Sequence, residues 1–99
     1  MNLREEDAIA WLMQWYQAQC DGEWEEEHGI TLESLDNPGW LLTVDLVGTH
    51  LEGRILDPQR EERGEHDWVF SESDGKVYRG AGGPMNLREI LERFRYWVE

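Results

Sequence analysis

The sequence predicts a small α+β domain: an antiparallel sheet of about four to five strands, with an N-terminal and a C-terminal helix on one face. Three observations predict it. Trp40, Leu42, Val44 and Leu46 alternate with Leu41, Thr43, Asp45 and Val47, so one strand face is wholly apolar and the other mixed. Leu87, Ile90, Leu91, Phe94, Trp97 and Val98 make one stripe at helical spacing. Helical patterns at the two ends enclose a run of short strand patterns, the order expected of α+β rather than of parallel βαβ units.

The chain has 99 residues, enough for one domain with a real core. Hydrophobic content of 39% and charged content of 31% exclude compositional disorder. No apolar run reaches the roughly 18 residues of a transmembrane helix. The opening MNLREED lacks the apolar segment of a secretory signal. Cys20 is the only cysteine, so no internal disulfide forms, as suits a cytoplasmic protein.

Charge is the most informative bulk property. The net charge is −13. Residues 1–53 hold twelve acids and one base, Arg4, for a net of −11, whereas residues 54–99 hold ten acids and eight bases, for a net of −2. Nucleic acids and anionic membranes both need a cationic footprint, so direct binding to either is not expected. A basic protein partner is the complementary expectation.

Residues 5–20 read as the first helix, with Glu5, Glu6 and Asp7 placed to complement its dipole. Two apolar stripes compete on it: Ile9, Leu12, Met13, Tyr16 and Cys20, and Ala8, Trp11, Trp15 and Ala18. Gly22 is the expected C-terminal cap. The densest acidic stretch follows, with Glu23, Glu25, Glu26 and Glu27 around Trp24. Ile30 to Leu35 reads as the first strand. Asn37-Pro38-Gly39-Trp40 reads as a type II turn with Gly39 at positive φ. After the Trp40 strand, Gly48-Thr49 and Glu52-Gly53 mark breaks. Arg54-Ile55-Leu56 predicts a short third strand near an edge because Pro58 follows. Residues 57–67 read as a solvated loop or an exposed extension of that strand. Trp68-Val69-Phe70, the Asp74-Gly75 hairpin and Lys76 to Arg79 predict two more strands. Gly80 to Pro84 reads as a flexible loop into the last helix, Leu87 to Val98, with Asn86 as N-cap and Glu89 at N3. The pentapeptide MNLRE occurs at 1–5 and 85–89, too short a repeat for a repeat architecture.

The search for chemistry finds no constellation. Cys20 lies on an apolar stripe without a catalytic context, and Ser34, Ser71 and Ser73 lie in no nucleophile pattern. His28, His50 and His66 are far apart, and Glu25-x-x-His28 alone does not make a metal site. GAGGP at 80–84 lacks the Lys-Ser/Thr of a phosphate loop. No cofactor and no metal are expected. An interaction surface remains. Trp40, Trp68 and Trp97 fit core positions by pattern, while Trp24 fits none. An aromatic rimmed by acids has the anatomy of a hot spot for a cationic protein; the alternative is that Trp24 folds back as a lid on the core.

Trp15-Tyr16, Cys20-Asp21-Gly22-Glu23-Trp24-Glu25, Leu35-Asp36-Asn37-Pro38-Gly39-Trp40, Asp45-Leu46 with Gly48-Thr49, Asp67-Trp68 and the closing Leu87, Ile90-Leu91 and Phe94 carry a resemblance to a known family. The chain resembles the immunity protein 53 family of bacterial polymorphic toxin systems over nearly its whole length. Residues 54–66 match least. The resemblance implies a non-enzymatic cytoplasmic protein that binds and neutralises a toxin delivered by kin. It supplies no catalytic or binding residues. The candidate toxin-binding residues are therefore chosen from charge and pattern: Trp24, Glu23, Glu25, Glu26 and Glu27 at the centre, with Asp36 and Asp45 beside them. A nuclease with a cationic cleft is the toxin type that such a surface suits. A regulatory module with another basic partner is the alternative, and both a monomer and a homodimer fit the sequence.

Overall fold

Strand and helix patterns become packed elements in a computed structural model that describes residues 3–99, with side chains from Ala8 onward. The first residues of MNLRE and the dipole role of Glu5, Glu6 and Asp7 lie outside the described residues. The element order is α1 (Leu3–Gln19), α2 (Trp24–Glu27), β1 (Ile30–Leu35), β2 (Gly39–Asp45), β3 (Ile55–Gly64), β4 (Asp67–Asp74), β5 (Val77–Gly82) and α3 (Leu87–Val98). The strands form one sheet in the order β1-β2-β5-β4-β3, with every neighbour antiparallel. β1 and β2 are a hairpin. The chain then crosses to the far edge and returns through β3, β4 and β5 to fill the gap beside β2.

The alternation of β2 works as the sequence predicts. Leu42 and Val44, with Leu46 just beyond the strand, are buried under the helices, while Leu41, Thr43 and Asp45 occupy the more open face. Tyr78 of β5 and Val69 of β4 join the buried side. Phe94 of α3 sits among Trp11, Trp15, Tyr78 and Trp97, with ring centroids 4.8–6.4 Å apart. Aromatic pairs at these separations add to the stabilisation from area burial.

On α1 the tryptophan stripe wins. Ala8 and Trp15 are buried and Trp11 is half-buried, whereas Ile9 and Met13 are 57% and 62% exposed. Burying indole rings removes more apolar surface from water than burying Ile and Met, so the helix turns its larger aromatics inward. The helix is therefore apolar both towards the core and on one solvent-facing flank.

Three other expectations are corrected, and one open alternative is decided. Residues 80–82 are not loop but the end of the central strand β5. A Cβ at Gly80 or Gly82 would meet Ile90 of α3 at 3.1 and 3.0 Å, so these glycines let α3 lie close on the sheet. The turn at 36–39 contains a cis Asn37–Pro38 bond rather than a type II turn, and Gly39 does not have positive φ. Gly39 is required instead because a Cβ there would fall onto the carbonyl of Gly82. Residues 57–64 take the extension option: β3 runs for ten residues as an exposed edge strand. Asn86 precedes α3 but makes no side-chain cap. Its Nδ2 donates to Asp67 at 2.9 Å and to Glu89 at 3.3 Å.

Candidate functional site

The acidic stretch after α1 is a built turn. Asp21 Oδ1 accepts from the backbone N–H groups of Glu23 (2.9 Å) and Trp24 (3.0 Å). These donors hold the Asp21 carboxyl below its ordinary pKa, Trp24 having the larger effect. Glu25 reaches back the other way and accepts from the N–H groups of Asp21 (3.0 Å) and Gly22 (2.9 Å). The pair satisfies the open donors at the start of α2 reciprocally, on the logic of a capping box. The run Asp21-Gly-Glu-Trp-Glu25 is thus a local folding signature. It commits Glu25 to the backbone and leaves Glu23, Glu26 and Glu27 exposed.

Trp24 is the lid of the two readings. It is 3% exposed, edge-on to Trp15 at 6.3 Å, with Tyr16 at 5.9 Å. Gly48, at φ +87°, passes beneath it so closely that a Cβ there would stand 3.3 Å from the indole. Trp24 therefore fixes the acidic turn to the core, and its ring does not form part of the surface. No sequence pattern around it signals this, but the Asp21/Glu25 spacing signals the turn that buries it.

The structure brings Asp45 to the same place. Asp45 N–H donates to Gly29 O at 3.0 Å, and its carboxylate lies 3.9 Å from His28 Nδ1, one residue beyond α2. Asp36 is elsewhere. It sits in the turn at the opposite end of β1, about 20 Å away along a six-residue strand. Acids thus stand at both ends of β1, with exposed Glu33 between them.

A cluster of ion-paired bases stands at the other side of the sheet. Arg63 of β3 pairs with Glu61, with Asp67 at 2.9 Å and with Glu89 at 2.5 Å. Arg93 of α3 pairs with Glu61 and Glu89 at 3.1 and 3.0 Å. These guanidinium groups hold the carboxyls of Glu61, Asp67 and Glu89 below their ordinary range. Arg54 and Arg60 stack on Trp97 and Trp68 at 5.0 and 4.9 Å. Among the described residues, no Lys or Arg forms an ion pair with the acids of α2.

Between α3 and the β3–β4 side lies an open trough of about 1130 Å³, lined in part by Glu89, Glu92, Arg93 and Trp97. Its acids are paired or solvated, and Tyr78 at its floor has its phenol pushed up to about 12, chiefly by burial. Among the described residues, no three His, Cys, Asp or Glu side chains gather where they could hold a metal ion. No helix among them is long and apolar enough to cross a membrane.

The features with no internal role are surface features: an acidic turn, a strand edge framed by acids, and an apolar helix flank. Comparison with known proteins gives them a context. The sequence model of immunity protein 53 matches residues 9–99. This chain belongs to the immunity protein 53 family. No curated protein and no solved structure matches it. An immunity protein acts by binding a cognate toxin, so in a member of the immunity protein 53 family a protein-facing surface is the functional part. The matched range includes α2, β1 and all but the first turns of α1, and so every candidate residue lies within it.

Proposed function

We infer that this chain neutralises a toxin domain of basic character by setting the acidic turn of α2 against a cationic cleft. Glu23, Glu26 and Glu27 make the centre of that surface and Asp45 extends it. Glu25 and Trp24 hold the turn in place, and Asp36 lies at its far margin. The observation that carries this reading is the partition of charge. The bases of the second half are largely engaged in ion pairs or on aromatic rings, while Glu23, Glu26 and Glu27 are exposed and enter no ion pair among the described residues. A nuclease fits such a surface best, because its cleft must already be cationic to hold nucleic acid. The inhibitor then uses the attraction that draws in the substrate. The cytoplasm, where a nuclease meets its target, is the compartment in which the protection is needed.

The test is co-expression with the toxin domains encoded beside this gene, scored by co-purification and growth rescue. A stable complex with rescue supports the reading. Replacing Glu23, Glu26 and Glu27 by Gln together should slow association by ten-fold or more at low salt and flatten its salt dependence, since exposed charges act mainly on the encounter. No complex and no rescue with any neighbouring toxin domain refutes the reading.

A further inference from the structure

The two edges of the sheet are finished differently. β3 carries the devices that keep an edge strand from pairing. It has Pro58, register breaks between Leu56 and Gln59 and between Glu62 and Gly64, and charged residues from Arg60 to Arg63. β1 has only one charged residue, Glu33, and neither Pro nor a register break. Ile30 to Leu35 pair with β2 over six unbroken rungs, without Pro, Lys or Arg, and Thr31 to Ser34 are exposed.

The register identifies which backbone groups are open. Asp45 N–H donates to Gly29 O, so Gly29 and Asp45 form a bonded pair. Bonded and non-bonded pairs alternate along an antiparallel ladder. Thr31, Glu33 and Leu35 therefore exchange hydrogen bonds with Thr43, Leu41 and Gly39. Ile30, Leu32 and Ser34 turn their N–H and C=O groups away from the sheet, and no described residue hydrogen-bonds to them.

The side chains around this edge differ by face. Leu32 lies on the helix side, opposite buried Leu42, yet is 46% exposed. Ile9, Met13 and Tyr16 form the solvent-facing flank of α1. Trp11 on the opposite flank meets Phe94 of α3. Glu33 is on the other face, with Asp45 on the neighbouring strand. Asp36 and Glu27 stand at the two ends.

We propose that a β-strand of the toxin adds to the free edge of β1, bonding to Ile30, Leu32 and Ser34. Its apolar residues lie against Leu32, and its basic residues face Glu33 and Asp45. Strand addition takes its affinity from the backbone and its specificity from alternate side chains, and here the alternation is apolar on one face and acidic on the other. This rests on the reading that the partner is a toxin domain.

Two variants test it with the co-expressed neighbouring toxin domain. Ser34→Pro removes an outward N–H and places a ring in the path of an added strand, while the β1–β2 bonds come from other residues. Leu32→Lys puts a charge where the apolar contact is made. Both should melt within a few degrees of wild type, bind at least ten-fold more weakly and lose rescue. Arg60→Ala on the opposite edge should bind within two-fold of wild type. In the wild-type complex, hydrogen exchange at the amides of Ile30, Leu32 and Ser34 should slow sharply. Wild-type affinity in both variants, or unchanged exchange at these amides, overturns the proposal and leaves toxin binding to the acidic turn alone. A wild-type dimer dispersed by Ser34→Pro with toxin affinity unchanged also overturns it, with a second copy as the occupant. A wild-type protein that neither binds nor rescues refutes the proposed function itself, and the strand proposal falls with it.

Discussion

Trp24→Ala separates the two roles that its sequence context suggests. The side chain is almost wholly buried between Trp15, Tyr16 and the glycine at position 48. A buried indole removes about 200 Å² from water, and about 25 cal/mol per Å² gives an upper bound near 5 kcal/mol. Its Nε1 has no partner among the described residues, and an unpaired buried N–H offsets about 1–3 kcal/mol of that gain. The net cost of truncation is then about 3 kcal/mol, at the low end of what Trp→Ala substitutions cost in cores. For a domain of this size the melting temperature should fall by about 12 °C or more. Trp24→Phe keeps a ring against Trp15 and deletes the unpaired N–H, so it should cost about 1 kcal/mol or less. Urea unfolding followed by circular dichroism measures both. Toxin affinity, extrapolated to fully folded protein, should change little in Trp24→Phe, because the ring does not face the partner. A Trp24→Ala variant as stable as wild type but with a large loss of affinity would falsify the lid assignment.

Three further outcomes follow from the geometry. Gly39→Ala should destabilise by about 3 kcal/mol, the upper end for overpacking, because its Cβ meets the backbone of Gly82 rather than a yielding side chain; the urea midpoint reads this. Tyr78→Phe should be neutral or stabilising in the same assay, since the buried Oη has no well-formed hydrogen bond among the described residues. The Tyr78 phenol titrates near 12 in the fold against an ordinary value near 10, so the stability held by its neutral form is intact below about 10 and lost as pH rises through about 12, a loss that Tyr78→Phe should remove. Arg63→Ala should lower stability at neutral pH, and the gap to wild type should close as pH falls below about 4. The carboxyls of Glu61, Asp67 and Glu89 are held low in the fold, so their contribution is present above the ordinary carboxylate values and disappears as they protonate; denaturant midpoints across that range decide it.

Spacing made α3 and β2 legible because each buries one face against one neighbour, and period alone then identifies that face. It failed on α1 for a definable reason. Two apolar stripes satisfy the same period, and only the tertiary competition for buried area selects Trp11 and Trp15 over Ile9 and Met13. Gly80 to Gly83 look like a linker by propensity, yet the absence of side chains at Gly80 and Gly82 is what allows Ile90 to approach the sheet. Residues 57–64 show no alternation because β3 is an edge strand with most of its side chains in solvent. The acidic turn is visible as composition and its frame only through the Asp21/Glu25 spacing, while the burial of Trp24 by contacts from α1 and Gly48 has no sequence signal. The free edge of β1 could not be read at all from sequence, because edge position depends on where β3 to β5 go.

The glycines under α3 divide the molecule into positions that can change and positions that cannot. Gly39, Gly80 and Gly82 accept no side chain without moving a strand or Ile90, so the centre of the sheet is closed to variation. Exposed positions such as Glu23, Glu26, Met13 and Thr31 carry little packing constraint, and substitutions at such sites typically shift stability by less than about 0.5 kcal/mol. A protein built this way can exchange surface residues while its scaffold stays fixed. The surface can therefore change its chemistry by substitution without first unfolding the sheet beneath it.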